Sequence, residues 1–349
     1  MNTDEIKVKV GLKLKPNKYL TDPDQLFPYQ RRMVLMMLAR PRMINGDDVG
    51  LGKTFEAIAH FSYVKTREPD ARALVFTERN ALLQWKSSVA KFTTGLRAEV
   101  ITADSHPDKL SRLKALRQCT ADILITTYSL AYDYKDYLIE GRGKNFVLYA
   151  DEPNYFKNPG TKLHERISVI SNHSTRSYGL TATVLENRLE EIMGILHGLS
   201  PGACMSIYQF HKDHCYRVKV RKGVWITKSY KHLDVFRQRV EPWFYGRVQT
   251  NPEVKQALPE VVTKDVEIEL GIEQSWKVVE AMDKLLQTPE GDVKKLQILQ
   301  ALTISQQLVN DPKLLDYDIS SAKMEALTEM LTNSLDGHST IVYSRFRTQ

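Results

Sequence analysis

Between about residue 40 and residue 180, short apolar runs alternate with longer periodic stretches. The runs are Met43-Ile44, Ala73-Leu74-Val75-Phe76, Ile123-Leu124-Ile125-Thr126, Phe146–Ala150 and Tyr178-Gly179-Leu180. Each is short and bears side chains suited to burial on both faces, so each reads as a strand inside a parallel sheet. Helical spacing fills most of the gaps. Leu26-Phe27-Pro28-Tyr29-Gln30 opens a helix carrying Met33, Val34, Met36, Met37 and Leu38. Phe55, Ile58, Ala59 and Phe61 make the stripe of a second helix over residues 54–65, broken at Ser62. Strand–helix alternation of this kind predicts an α/β domain, a parallel sheet flanked by helices, over residues 26–200.

The pattern changes after residue 200. Tyr216, Val218 and Val220 alternate with Arg217 and Lys219, Arg221-Lys222-Gly223 can turn the chain, and Val224-Trp225-Ile226 can return it. That is a hairpin signal with its charges mainly on one face. Residues 201–260 are therefore expected to form an insertion. From Val262 a further unit begins: an alternating strand to Leu270, helices near 272–286, 293–310 and 321–335, and a strand at Ile341-Val342-Tyr343. With two strands and no closing helix, residues 261–349 are expected to be an incomplete domain. Residues 1–25 are polar and lysine-rich, and read as a lead-in.

Bulk composition excludes little, but charge is informative. The formal net charge is +7. Residues 211–240 contain nine Lys/Arg against two acids, which accounts for all of it. A basic patch confined to one segment points to a polyanion. No apolar run approaches the ~20 residues of a membrane span. The start, Met1-Asn2-Thr3-Asp4-Glu5, has no apolar leader core. The expectation is a cytoplasmic protein, without membrane association and monomeric. Cys119, Cys204 and Cys215 are few and unevenly spaced, which argues against a disulfide framework. His211, His214 and Cys215 are neighbours, but no second pair with zinc spacing follows.

The chemistry concentrates in Asp47-Asp48-Val49-Gly50-Leu51-Gly52-Lys53-Thr54. Two close glycines let backbone N–H groups converge, and a helix N-terminus follows, which makes an anion nest. Asp48, Gly50, Leu51 and Gly52 would wrap the phosphates, Lys53 would reach the outer ones, and Thr54 would ligate Mg²⁺. Asp47 stands where the general loop pattern has its first glycine. About a hundred residues on, Asp151-Glu152-Pro153-Asn154 ends the apolar run 146–150. Asp151 would hold the metal through water, and Glu152 would polarise the attacking water.

Taken in order, these strings resemble the Swi/Snf-like ATPases of helicase superfamily two. Leu26–Gln30, the Gly-Leu-Gly-Lys-Thr loop and the Asp-Glu pair are joined by Leu83-Gln84-Trp85, Ile125-Thr126-Thr127-Tyr128, Phe156-Lys157-Asn158 and Leu180-Thr181-Ala182-Thr183 with Asn187. Gln306-Gln307-Leu308, Asp311–Leu315, Ser321–Met324 and Ile341–Phe346 continue the series. The resemblance implies two RecA-like lobes with ATP and Mg²⁺ in the cleft, and hydrolysis coupled to movement on double-stranded DNA past other bound proteins. It implies that Gln30 reads the adenine edge, that Lys53 and Glu152 are catalytic, and that Gln84, Trp85, Thr127, Tyr128, Lys157 and Thr181 lie toward DNA. Arg217, Lys219, Arg221 and Lys222 would belong to a basic protrusion. The chain departs from the family at Glu78, where proline is usual, at Asn154, at Ala182 and at Val184. By the resemblance it ends before the fifth and sixth motifs, and the sixth supplies the arginines that meet transition-state charge, so hydrolysis by this chain is expected to be slow. The rival of the same class is an RNA or single-strand helicase; the Gly-Leu-Gly-Lys-Thr loop, Ile125-Thr126-Thr127-Tyr128 and the lack of an Asp-Glu-Ala-Asp box favour duplex DNA. A nucleotide-gated DNA scaffold without turnover is the alternative from another class. The compact spacing suggests a prokaryotic or viral source and a nucleoid association.

Overall fold

Seven strands form one wholly parallel sheet in the order β3-β4-β2-β5-β6-β1-β9. In chain order the elements are α1 (Pro28–Ala39), β1 (Arg42–Asn45), α2 (Lys53–Arg67), β2 (Arg72–Thr77), α3 (Leu82–Phe92), β3 (Ala98–Val100), α4 (Lys109–Gln118), β4 (Ile123–Thr127), α5 (Tyr128–Arg142), β5 (Phe146–Asp151), α6 (Lys162–His173), β6 (Arg176–Leu180) and α7 (Leu189–Leu199). Then come α8 (Ile207–His214), β7 (Cys215–Arg221), β8 (Val224–Tyr230), α9 (Leu233–Val240), β9 (Phe244–Tyr245) and α10 (Pro252–Lys255). The computed structural model describes residues 14, 17–183, 185, 188–200, 205–221, 223–255, 257, 263–286 and 293–346. The chain divides into two units, Met1–Glu260 and Val261–Gln349.

The strand runs are apolar throughout because both sheet faces are covered. Leu74, Phe76, Leu148 and Ala150 enter one buried cluster, with Leu116, Leu138, Ile167 and Met193 from the helices. Ala73, Val75, Val147 and Tyr149 enter the other, with Met33, Ile58, Phe61 and Trp85. Adjacent residues of a strand point to opposite faces, so each face takes every second side chain. This is the RecA-like α/β lobe expected from the sequence, and its five longer strands match the five apolar runs.

The broken stripe of α2 has a physical reason. Phe55 through Lys65 are all buried, so this helix has no solvent face. Ser62 is satisfied inside: its hydroxyl donates to the Ala59 carbonyl at 2.6 Å and accepts from Asn17 Nδ2 at 2.7 Å. Strands β3 and β9 were not legible. β3 is half-buried over its whole length, and β9 is two residues long. The lead-in is tethered where it is described, with the Thr21 N–H donating to the Phe92 carbonyl at 3.0 Å and Leu20 buried.

In the second unit, α11 (Ile272–Leu286), α12 (Val293–Asn310) and α13 (Ala322–Glu329) match the predicted helices. Buried Gln274 links them, donating to the Leu308 carbonyl at 2.7 Å and accepting from the Ala322 N–H at 3.3 Å. The two predicted strands are corrected. Residues 263–270 and 341–343 belong to no strand and find no ladder partner among the described residues, and Ile341, Val342 and Tyr343 are exposed. Alternation alone makes no strand without a neighbour to bond.

His60 on α2 is fully buried between Tyr149 and Tyr178. Tyr178 Oη donates to the Met37 carbonyl at 2.8 Å. His60 Nε2 must therefore donate to Tyr178, at 3.2 Å, and Nδ1 accepts from Tyr149, at 2.6 Å. Burial pushes the imidazole down from 6.5 to about 3. The unfolded chain binds this proton more readily, so native stability rises with pH through that window and falls on acidification from about 6.5 toward 3. His60→Gln, whose amide can still donate and accept, should flatten the pH dependence of the urea midpoint between those limits. An unchanged slope would assign the acid sensitivity to other groups.

Candidate active site

The phosphate-loop sequence leaves β1 at the carboxyl end of the sheet and enters α2. β5, two strands away, ends in Asp151, and β6 between them ends at Leu180, followed by Thr181. Ligand sites of open parallel sheets form at such carboxyl ends. A cavity of about 760 Å³ lies there, lined by Gln30, Gly50, Gly52, Lys53, Thr54, Gln84, Ser87, Lys91 and Asp151 among others.

Gly50 and Gly52 have φ of +80° and +85°. Gly52 is the residue before α2, and a Cβ there would overlap the Gln30 amide. Both features require glycine. Lys53 Nζ donates to the carbonyls of Asp47 (2.8 Å) and Asp48 (3.2 Å). The ammonium thus sits inside the curl of the loop. Asp48 braces the loop entry, accepting from the Val49 N–H at 2.8 Å. Leu51 is buried, and its carbonyl accepts from Tyr29 Oη and Gln30 Nε2.

Each acid is held by a different neighbouring element. Asp151 Oδ2 accepts from Thr77 Oγ1 on β2 and Trp85 Nε1 on α3, both at 2.8 Å. Glu152 Oε2 accepts from Thr181 Oγ1 at 2.6 Å. Glu152 has φ of +52°, a costly conformation for a residue with a side chain. Burial raises both carboxyls above their usual range. The hydrogen bonds and the Lys53 charge oppose it. A raised Glu152 is a better proton acceptor than a solvated one.

Several expected roles change. Gln30 is buried at the cavity wall, its Oε1 accepting from the Phe27 N–H at 3.0 Å and its Nε2 donating to the Leu51 carbonyl, so it braces the loop. Trp85 and Tyr128 are buried: Trp85 Nε1 holds Asp151, and Tyr128 Oη donates to the Asp151 carbonyl at 2.7 Å, its ring at the floor of the surface groove that Thr127 lines. Thr181 is fully buried and serves Glu152. Gln84 lies on the phosphate-loop cavity. Lys157 is paired with Glu191 at 3.2 Å. Thr127 lines a surface groove with Glu78, Ser129, Tyr132 and Tyr155. On the hairpin, Lys219 and Arg221 are exposed, and Arg217 stacks over Trp225, 6.0 Å from its ring centre, beside His211. Lys222, Val184 and Asn187 lie outside the described residues.

Two groups escaped sequence reasoning. Thr77 shows itself only through register, since Phe76 pairs with Ala150 and brings the next residue beside Asp151. Arg247 is fully buried against Asp47, two hundred residues away in the chain, and no local pattern marks it.

A strand, a glycine-bent loop and a helix N-terminus, with two consecutive acids at the end of β5 braced from neighbouring elements, define a RecA-like nucleotide-hydrolase lobe. Residues 29–314 match the SNF2-related domain, and the chain belongs to that family, the Swi/Snf-like ATPases of helicase superfamily two. It is 26% identical over 82% of its length to YwqA of Bacillus subtilis, assigned by name to the ATP-dependent helicases and translocases. It is 25% identical over 78% of its length to the human SWI/SNF-related matrix-associated actin-dependent regulator of chromatin subfamily A member 1. It spans 31% and 26% of those two proteins. The Sulfolobus solfataricus SWI2/SNF2 ATPase core, solved in complex with double-stranded DNA, superposes with a TM-score of 0.55 at 26% identity. That match covers 93% of this chain and 66% of the solved one.

Trp85→Phe tests the corrected role. It removes one donor from a buried carboxylate while keeping the ring, and should cost about 1.5–3 kcal/mol in urea unfolding. Duplex affinity by fluorescence anisotropy should not change. A selective loss of DNA binding would return Trp85 to the nucleic-acid surface.

Proposed function

We propose that this chain carries the nucleotide lobe of a motor that couples ATP hydrolysis to movement along duplex DNA. The observation behind this reading is the arrangement of Lys53 and Thr54 with Asp151 and Glu152 at one end of the sheet. Lys53 would exchange its two loop carbonyls for phosphate oxygens, and the loop N–H groups would hold the rest of the anion. Thr54 and Asp151 are the residues that would hold Mg²⁺, which when bound supplies neutralising charge to the phosphates. Glu152, steadied by Thr181, would take the proton of the attacking water. The exposed cations of β7 would meet DNA phosphates, a contact that is indifferent to sequence. The solved Sulfolobus relative, bound to double-stranded DNA, supports duplex as the track.

Glu152→Gln should retain Mg-ATP binding while duplex-stimulated phosphate release falls by about 10²–10⁴. Lys53→Ala should lose the binding itself. Parental turnover in Glu152→Gln would refute its role. Tight nucleotide binding without turnover in the parent chain would favour the scaffold alternative.

Replacing Lys219 and Arg221 together by Ala should weaken binding equally for unrelated duplexes. The slope of log affinity against log salt should drop by about 2, one per lost phosphate contact. A fixed slope would make the hairpin a solvated face.

A further inference from the structure

The basic segment and the phosphate loop meet at one side chain. After the hairpin the chain passes through α9 and a single turn (Glu241–Trp243), then pairs as β9 with β1, the strand that feeds the loop. β9 is at the sheet edge and has only two paired residues, Phe244 with Ile44 and Tyr245 with Asn45. Arg247 follows. Its backbone N–H and its Nε donate to Asp47 Oδ1 at 2.9 and 3.0 Å, and its Nη2 donates to Asp47 Oδ2. Nη1 donates to the Tyr29 carbonyl of α1, and Glu56 Oε1 of α2 lies 3.6 Å from Nη2. The guanidinium packs 5.1 Å from the ring centre of Tyr29 and 5.3 Å from that of Tyr245.

The backbone repeats the tie on both sides. The Gly46 N–H donates to the Tyr245 carbonyl at 2.7 Å, and the Asp48 N–H donates to the Arg247 carbonyl at 2.9 Å. Gln249 Nε2 donates to the Val49 carbonyl at 3.1 Å. Gly246 lies so close to Gly46 that an added Cβ would overlap the Gly46 carbonyl. Residues 46–49, the half of the loop without a leading glycine, are thus shaped by residues 245–249. The fork geometry matters, because a guanidinium can bind both Asp47 oxygens and a carbonyl at once while an ammonium cannot.

We propose that Arg247 is the positioning residue of the phosphate loop, and that through it the basic segment of residues 207–245 and the nucleotide site are energetically coupled. This rests on the ATP reading above. A shift of β9 when the segment takes up DNA would move Arg247, and with it Asp47 and the carbonyls that hold Lys53. Linkage then requires that nucleotide binding alter duplex affinity by the same factor.

The experiment measures affinity for a fluorescent Mg-ATP analogue with and without a saturating short duplex. The parent chain, Arg247→Lys, Gly246→Ala and Lys53→Ala are compared, with thermal midpoints for each. The parent should show a duplex-dependent change in nucleotide affinity within the roughly 5- to 150-fold range of known couplings. Arg247→Lys keeps the charge but loses the fork. It should weaken nucleotide binding without duplex on the order of tenfold or more, as misplaced positioning groups do. Its duplex-dependent ratio should approach one, while duplex affinity without nucleotide stays at the parental value. Gly246→Ala should do the same with no charged group touched. Parental nucleotide affinity in both variants would overturn the positioning role. A parental ratio in both variants, with nucleotide affinity falling only as the thermal midpoint falls, would make Arg247 a purely structural residue and also overturn it. A ratio of one in the parent would overturn the coupling. Nucleotide binding unchanged in Lys53→Ala would instead remove the ATP reading on which the proposal rests.

Discussion

The site depends on a buried ion pair. Asp47 and Arg247 expose 0% and 1% of their side chains, so each is the other's counter-charge out of reach of water. Removing an ion from water costs several kcal/mol even after the protein relaxes. Here that cost is offset by two-oxygen contact with one guanidinium, a donated backbone N–H and a carbonyl from α1. Those partners come from four places in the sequence. The pair can form only if α1, β1, α2 and β9 are all in register, so its geometry reports on the assembled lobe. It does at Asp47 what a glycine does in the general loop: it fixes the path of residues 46–49, by charge instead of by backbone freedom.

The acids on the other side of the cavity obey a similar constraint. Neither Asp151 nor Glu152 is held by its own strand. Thr77 and Trp85 reach Asp151 from β2 and α3, and Thr181 reaches Glu152 from the end of β6. A slip of one residue between β5 and either neighbour would send these hydroxyls to the opposite face. The carboxylate positions are therefore a property of sheet register. Three of the motif positions expected to touch DNA, Trp85, Tyr128 and Thr181, are accordingly buried and bonded to this acid pair, while Gln84 is exposed and Thr127 and Lys157 are partly so.

Those assignments show where the sequence was legible and where it was not. Strands β1, β2, β4, β5 and β6 were readable because burial on two faces forces continuous apolar runs. The glycine loop and the acid pair were readable because their chemistry tolerates few substitutes. The buried bonds of Trp85, Tyr128 and Thr181 to the acid pair were not legible, because an indole, a phenol and a hydroxyl suit a DNA groove and a buried carboxylate equally well in sequence. β9 and Arg247 left no signal, since a two-residue strand has no period and a contact across two hundred residues has no spacing. The alternation at 263–270 and 341–343 was real in sequence but found no ladder partner among the described residues.

Charge explains the remaining oddity, the resting place of Lys53. Around the loop and its cavity stand five carboxyl groups, from Asp47, Asp48, Glu56, Asp151 and Glu152, against three cations, Arg247, Lys53 and Lys91. Arg247 is spent on Asp47. Burial raises the carboxyls of Glu56, Asp151 and Glu152, and the unlike charge of Lys53 is among the forces opposing that rise for each of them. One ammonium thus serves three carboxyls and two carbonyls. A bare triphosphate would bring several further negative charges to a site already short of positive charge. On the proposed reading a divalent cation would balance that charge, and Thr54 and the second oxygen of Asp151 are the oxygen donors that would hold it. With that charge balanced, Lys53 is free to leave the Asp47 and Asp48 carbonyls. The loop carbonyls it vacates are the ones Arg247 and its flanking backbone hold in place, so the structure that receives the nucleotide is also the structure that the basic segment grips.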